Sequence, residues 1–270
     1  MGVIVSQMKI EINIVDAFTA ERFKGNSAAV IITEQAIDEH TMQLIASENN
    51  LSETAFLTPS KDDGFNIRWF SPITEIDFCG HATLASASVL FKRLPSSTQL
   101  TFYADAIGKM TIVQKADGLI SMTFPNTEPQ QLPFVPTALY DGLSIRPESV
   151  LVNQQAYFAI YENEQQITSL LADSSQLKTL GPKDVVVSAK GDKVDFVSRY
   201  FWPANGGDED PVTGSIHTGL APYWAKVLNK TSLVAYQASK RGGTLYCEVF
   251  EDKVEISGYT SHYLNGYITI

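Results

Sequence analysis

Cysteine is nearly absent from the chain: Cys79 and Cys247 are the only two in 270 residues. Two thiols so far apart make neither a disulfide framework nor a zinc cluster, so a reducing, cytoplasmic setting is the default expectation. Basic residues are scarce too, 20 Lys and Arg against 30 Asp and Glu, for a formal net charge of −10. Phosphate binding needs a basic face, which argues against nucleic acid as a partner and equally against attraction to anionic membranes. No apolar stretch approaches the ~20 residues of a transmembrane helix. The opening MGVIVSQMKIEINIVDAF lacks the basic and long apolar regions of a signal peptide. It matches the loose myristoylation pattern M-G-x-x-x-S, which is short enough to recur by chance. No HExxH, CxxC, DxDxDG, GxGxxG or P-loop is present, so neither a metal nor a nucleotide cofactor is expected. Ser215 lies outside any G-x-S-x-G elbow, which argues against a serine hydrolase.

What is present is material for a core: 44% of residues are hydrophobic and 19% charged, as in soluble globular proteins. Strand-like alternation dominates. KIEINIVDAF, SAAVIIT, SETAFLT, FNIRWFSP, LTFYAD, MTIVQKA and LISMTFP fill the first half. YFAIYE, DVVVSAK, VDFVSRYFWP, SLVAYQASK, TLYCEVF, KVEISGY and GYITI fill the second. All are rich in β-branched or aromatic residues between short turns. Helical spacing is confined to 38–49, 81–91, 165–171 and 215–228. The proline-rich Phe124–Pro136 is the linker candidate. It divides the chain into halves at 1–126 and 127–270, each with one strongly apolar helix, from about 81 and about 215. The last strand is one that can cross back to the first half.

The entrances to those two helices resemble each other. EIDFCGHATLASASVL runs from Glu75 to Leu90 and EDPVTGSIHTGLAPYW from Glu209 to Trp224. Each has acids, a spacer, glycine with a small polar or histidine residue, then an apolar helix, as an internal duplication would leave. A helix starting at Gly-His or Gly-Ser offers several unbonded N–H groups and the positive end of its dipole, and so binds carboxylate or phosphate. Plain capping by Asp210, Thr213 or Ser215 explains one such entrance as well. Two matching entrances favour a ligand. Helices this apolar should be buried on all sides.

Glu53 sits in a strand-like apolar run, where an exposed edge and a functional carboxylate are equally compatible with periodicity. Gly25-Asn26 leads into a strand and is compatible with a simple turn. His81 follows Gly80 at a helix entrance, where the dipole should disfavour protonation. His217 is expected to pack within its helix, while His40 and His262 have no telling context.

Four stretches together resemble the phenazine-biosynthesis PhzF-like isomerase family, relatives of diaminopimelate epimerase. They are IVDAFTAERFKGNSAAV (14–30), NNLSETAFL (49–57), IRWFSPITEIDFCGHATLASA (67–87) and FWPANGGDEDPVTGSIHTGLAPYW (201–224). The resemblance implies an α+β fold of the diaminopimelate-epimerase type: two similar halves, each a curved, mostly antiparallel sheet around a central helix, with the site in the cleft. It implies a homodimer and no cofactor. By resemblance the catalytic set is Glu53 as acid/base with His81, Asp210 and Ser215. Gly25, Asn26, Cys79, Gly80, Thr213 and Gly214 are the expected substrate-binding residues, and the substrate is a small carboxylate-bearing metabolite.

Cys79 departs from the epimerase pattern, in which a thiol stands at each helix entrance. At the second entrance this chain has Asp-Pro-Val-Thr-Gly-Ser. The dipole could lower the Cys79 pKa, yet free cysteine also packs readily as a small apolar residue. Three functions stay open on the sequence: a Glu53 isomerase, a racemase or epimerase using Cys79, and a non-catalytic binder of small molecules.

Overall fold

The computed structural model describes residues 8–270; the myristoylation pattern at the start of the chain lies outside them. The chain folds as two compact units. The first takes in the chain through Arg22, Ser27–Ile120 and Tyr259–Ile270, and the second takes in Phe23–Asn26 and Ser121–Gly258.

In chain order the elements up to the first division are β1 (Lys9–Ala17), β2 (Asn26–Ile32), α1 (Glu39–Asn49), β3 (Glu53–Pro59), β4 (Phe65–Phe70), β5 (Glu75–Ile76), α2 (Gly80–Arg93), β6 (Gln99–Ala104) and β7 (Gly108–Gln114). The second unit follows with β8 (Ile120–Pro125), β9 (Gln130–Gln131), α3 (Thr137–Asp141), β10 (Ser149–Val152), β11 (Ala156–Ile160), α4 (Glu164–Ser169), α5 (Ser174–Leu177), β12 (Asp184–Lys190), β13 (Phe196–Trp202), β14 (Gly207–Asp210), α6 (His217–Leu228), β15 (Ser232–Gln237), β16 (Gly243–Val249) and β17 (Lys253–Gly258). The chain ends with β18 (Thr260–Thr269).

In the first unit β18 pairs antiparallel with β1, from Lys9↔Thr269 to Ala17↔Thr260. The sheet continues through β2 and the parallel pair β2–β3 to β4, β6 and β7. Strand side chains alternate between faces. Phe56 packs with Ile10, Ile12, Ile31, Phe70 and the Met42/Ile45/Ala46 face of α1, so Glu53 and Ala55 point to the opposite face. That face belongs to α2, which touches β1, β3 and β18. Helix α2 is buried at every position from Gly80 to Phe91. Its small polar residues are all satisfied, Thr83 Oγ1 donating to Cys79 O at 2.6 Å, Ser86 Oγ to Ala82 O at 2.7 Å, and Ser88 Oγ meeting Thr260 Oγ1 at 2.6 Å, so a helix without a polar face stays buried. Lys92 and Arg93 occupy its last turn, where cations suit the dipole.

The second unit repeats this plan with different parts. Val185, Val187 and Ala189 of β12 and Val197 and Phe201 of β13 pack with Leu139 of α3, Ile167 of α4 and Leu177 of α5. The alternate residues face α6. Ser188 Oγ accepts from Trp224 Nε1 at 2.8 Å, and Phe196 stacks on Trp224 at 6.0 Å and 10°. The next residues along that face of β13 are Ser198 and Tyr200, and Tyr200 reaches the α6 entrance. The sheet runs β10–β11–β12–β13, then through the parallel pair β13–β15 to β16 and β17.

Several expectations change. The proline-rich Phe124–Pro136 is not a free linker: β8 runs to Pro125, β9 pairs with β10, and Asn126 Nδ2 donates to the carbonyls of Phe250 and Glu251. Prolines interrupt its ladder, and side-chain amides hold it instead. The acidic run Asp208–Asp210 belongs to strand β14, anchored by Arg199 on Glu209 at 2.8 Å. Helix α6 begins at His217, after a turn at 214–216, and its N-cap Ile216 makes no side-chain cap bond. Asp210, Thr213 and Ser215 therefore do not cap it. Among the described residues no helix is long and apolar enough to cross a membrane.

Candidate active site

Two clusters hold the sequence-predicted residues, one in each unit. In the first, β3 opens with Glu53 on the α2 face, and α2 opens with Gly80 and His81 after its N-cap Cys79. Glu53 is 7% exposed, His81 and Cys79 each 6%. Of the two environments open to Glu53 on periodicity, the structure has the buried one. Its Oε2 lies 2.9 Å from His81 Nε2, yet Oε2 accepts no well-aligned hydrogen bond. The distance describes a charge contact between the two side chains. Cys79 Sγ stands 3.4 Å from His81 Nδ1 and 3.8 Å from Nε2.

The electrostatics reverse two expectations. Burial pushes the Cys79 thiol up, to about 11, and the neighbouring Glu53 carboxylate adds to this. Desolvation in a closed apolar site outweighs what the helix dipole offers a thiolate. For His81 burial favours the neutral ring, but its interactions with Cys79 and Glu53 outweigh it, and its pKa stands well above the usual value. With the thiol protonated near neutral pH, the upward direction rests on Glu53. The dipole argument fails for His81 because an ion-pair partner at 2.9 Å is a stronger local charge than a helix end.

Glu53, Cys79 and His81 are also the one described group of His, Cys and carboxylate ligands close enough to share an ion. The thiol straddles both ring nitrogens instead of facing the lone pair of one. The arrangement suits proton exchange better than coordination.

The second cluster surrounds the turn before α6. Asn26, fully buried, donates through Nδ2 to Asp210 Oδ1 at 2.9 Å and to Val212 O at 3.0 Å. Thr213 Oγ1 donates to Asp210 Oδ2 in a short hydrogen bond. Gln237, also fully buried, accepts from Thr213 N–H and donates to Asp210 O, both at 2.9 Å. Gly25 takes a φ of 66°, which favours glycine, and Arg241 Nε holds its carbonyl at 2.7 Å. Ser215 Oγ accepts from Gln155 Nε2 at 2.9 Å. Among the described residues the main-chain N–H groups of Gly214, Ser215 and Ile216 find no hydrogen-bond acceptor. Three free donors at the foot of a buried helix are an anion site in waiting. His217, fully buried, donates from Nδ1 to Thr213 O at 2.8 Å, and burial pushes its pKa down to about 4. It is a neutral packing residue, as its place in the helix suggested.

The structure therefore gathers Glu53, Cys79, Gly80 and His81 in the first cluster. Asn26, Asp210, Thr213, Gly214 and Ser215, with Gly25 behind them, form the second. Sequence reasoning missed Gln237, Gln155 and Tyr200. Gln237 carried a faint signal as a polar residue closing the apolar run SLVAY; Gln155 lies in a turn and carried none.

The profile of the phenazine biosynthesis-like protein family (PhzC-PhzF) matches residues 15–266. An uncharacterized isomerase of Halalkalibacterium halodurans is 44% identical over 255 residues, 93% of this chain and 95% of its own. The crystal structure of a PhzF-family protein of Enterococcus faecalis superposes with a TM-score of 0.92 at 41% identity, covering 97% of this chain and 99% of the other. A hydroxyproline epimerase of Agrobacterium vitis shares the fold at a TM-score of 0.61 and 10% identity, over 97% and 93% of the two chains.

Proposed function

The chain belongs to the phenazine biosynthesis-like family, and from that premise we propose that it is a cofactor-independent isomerase that moves a proton, and with it a double bond, on a small carboxylate-bearing metabolite. Isomerase-type chemistry is what its relatives' names carry. Glu53 is the general acid/base: it removes a proton from an activated carbon, the double bond shifts, and the protonated carboxyl returns that proton to a second carbon. The observation that supports this most is the buried Glu53 carboxylate paired with His81 at 2.9 Å. A positioned base of this kind accelerates proton transfer about 10²–10⁴-fold. His81 holds the carboxylate in place, and the N–H of Gly80 opens the dipole-favoured end of α2.

In the second cluster the N–H groups of Gly214, Ser215 and Ile216 are the anion-binding groups and the Ser215 hydroxyl contributes a further polar contact. Asp210, clamped by Asn26 and Thr213, is an acceptor for substrate hydrogens or a proton relay. A homodimer and a cytoplasmic setting belong to the same proposal. A Cys79 racemase is the weaker reading, because a thiol with a pKa near 11 is seldom a thiolate at neutral pH.

The test is proton exchange. The protein is incubated in D₂O with a panel of unsaturated and amino carboxylic acids, and NMR follows deuterium wash-in and double-bond migration beside Glu53→Gln. Exchange that vanishes in the variant supports the proposal; exchange that survives moves the base elsewhere.

A further inference from the structure

We propose that Asp184, Tyr200 and Gln155 form a directed hydrogen-bond chain that fixes Ser215 as a hydrogen-bond donor at the α6 entrance, so that the substrate atom received there is a bare acceptor, a carboxylate or carbonyl oxygen and not an amine. This deepens the reading of the entrance as a binding site and rests on it for the ligand, though not for the direction of the chain.

The direction follows from counting hydrogens. Asp184 Oδ1 accepts from Asn205 Nδ2 at 2.7 Å, and its Oδ2 accepts the phenolic hydrogen of Tyr200 in a short hydrogen bond. A phenol has one hydrogen, so once it is given to Asp184 the Tyr200 oxygen can only accept. Its remaining partner is the Gln155 side chain, 3.0 Å away. That side chain must therefore present its NH₂ to Tyr200, and the amide orientation, which heavy-atom positions alone leave ambiguous, is settled chemically. The second N–H of the same group lies on Ser215 Oγ at 2.9 Å. Ser215 then accepts from Gln155, and its own hydrogen has no acceptor among the described residues. It stands beside the free N–H groups of Gly214, Ser215 and Ile216.

The scaffold behind the chain is rigid. Gln155 is held in its turn by its N–H on Asn153 Oδ1 at 2.8 Å, and its carbonyl accepts from Asp184 N–H at 3.1 Å. Tyr200 stays protonated: burial, then the adjacent Asp184, hold its phenol far above the usual value. Gln155 and Tyr200 are thus positioning residues that act through Ser215. With the Gln155 N–H on one of its lone pairs, the Ser215 hydroxyl turns its hydrogen toward the three neighbouring N–H donors, a setting that favours a carboxylate or carbonyl oxygen over an amine.

Neutron diffraction from a crystal exchanged into D₂O, with no ligand added, reads the chain directly. The expected map places the Tyr200 deuteron toward Asp184, both Gln155 Nε2 deuterons on Tyr200 and Ser215, and the Ser215 deuteron away from Gln155. A Ser215 deuteron pointing at Gln155 overturns the proposal, whether or not any carboxylate is turned over. In solution, acetate is titrated against the Ser215 amide resonance. Tyr200→Phe frees the Gln155 amide to turn and should weaken acetate about three- to tenfold. The same change in a Ser215→Ala background should weaken it no further. Equal weakening in both backgrounds would mean that Tyr200 only supports the fold, and would also overturn the chain.

Discussion

The two buried helices begin with the same physics and end with different chemistry. At the α2 entrance the groups are titratable, a carboxylate, an imidazole and a thiol within touching distance. At the α6 entrance they are amides and hydroxyls, with Asp210 clamped on both oxygens by Asn26 and Thr213. The α2 entrance gathers its titratable groups around one buried carboxylate. The α6 entrance has its hydrogens fixed in place by buried Gln237 and by Gln155. A helix end supplies only a potential for anions; what it does with one is decided by whether the side chains around it can exchange protons.

Breaking that division should cost most where protons move. Once a substrate is known, Glu53→Gln should reduce its turnover about 10²–10⁴-fold, while Ser215→Ala should cost on the order of tenfold, chiefly in KM. Comparable losses in kcat for both would erase the distinction.

The next effect is on stability. His81 has a folded-state pKa raised above its unfolded value, so the stability it contributes is fully present below the unfolded pKa of ~6.5 and is lost as pH rises through the folded one. The unfolding free energy of the wild type, read from denaturant melts, should fall toward alkaline pH relative to His81→Asn, by up to about 1.4 kcal/mol per pH unit. Parallel curves for the two proteins would show that the pair carries no charge.

Packing offers a third test, at α6. A Cβ on Gly219 would meet Phe158 Cζ at 2.7 Å and Asn153 Nδ2 at 3.0 Å, so Gly219→Ala should destabilise the protein by about 1–3 kcal/mol. Urea melts that overlay the wild type would show that the ring of Phe158 gives way. The smallest effect belongs to Cys79→Ser. With its thiol protonated near neutral pH, turnover should stay within a few-fold of wild type. A loss as deep as that of Glu53→Gln would instead install the thiol as a base.

Sequence legibility followed the same line between pattern and partnership. Strands with an alternating or continuous apolar run, such as DVVVSAK, were legible at their true bounds, Asp184–Lys190. So was α1, whose expected first residue Asp38 is its N-cap and accepts from Thr41 N–H. β14 was not, because GDED has no apolar alternation and becomes a strand only by pairing with β13. The first half of β18 escaped for a related reason: His262, Tyr263 and Leu264 fall between the apolar runs KVEISGY and GYITI, and Tyr263 and Leu264 stay exposed. At the site, the meeting of Glu53 and His81 was legible through family resemblance. The raised pKa of Cys79 was not, since burial is a property of the whole fold and the dipole of one helix end.

β18 is the last strand of the chain, yet it closes the sheet of the first unit along the full length of β1. During translation the first unit therefore cannot be completed when its own first stretch leaves the ribosome. Its β1 edge must wait while the whole second unit is synthesised, on the order of ten seconds at ordinary elongation rates. For that interval a nascent chain carries an open, half-apolar strand edge, a natural binding site for chaperones and a hazard in crowded translation. Emergence of β18, and not of the first unit's own leading strands, is what lets that unit lock.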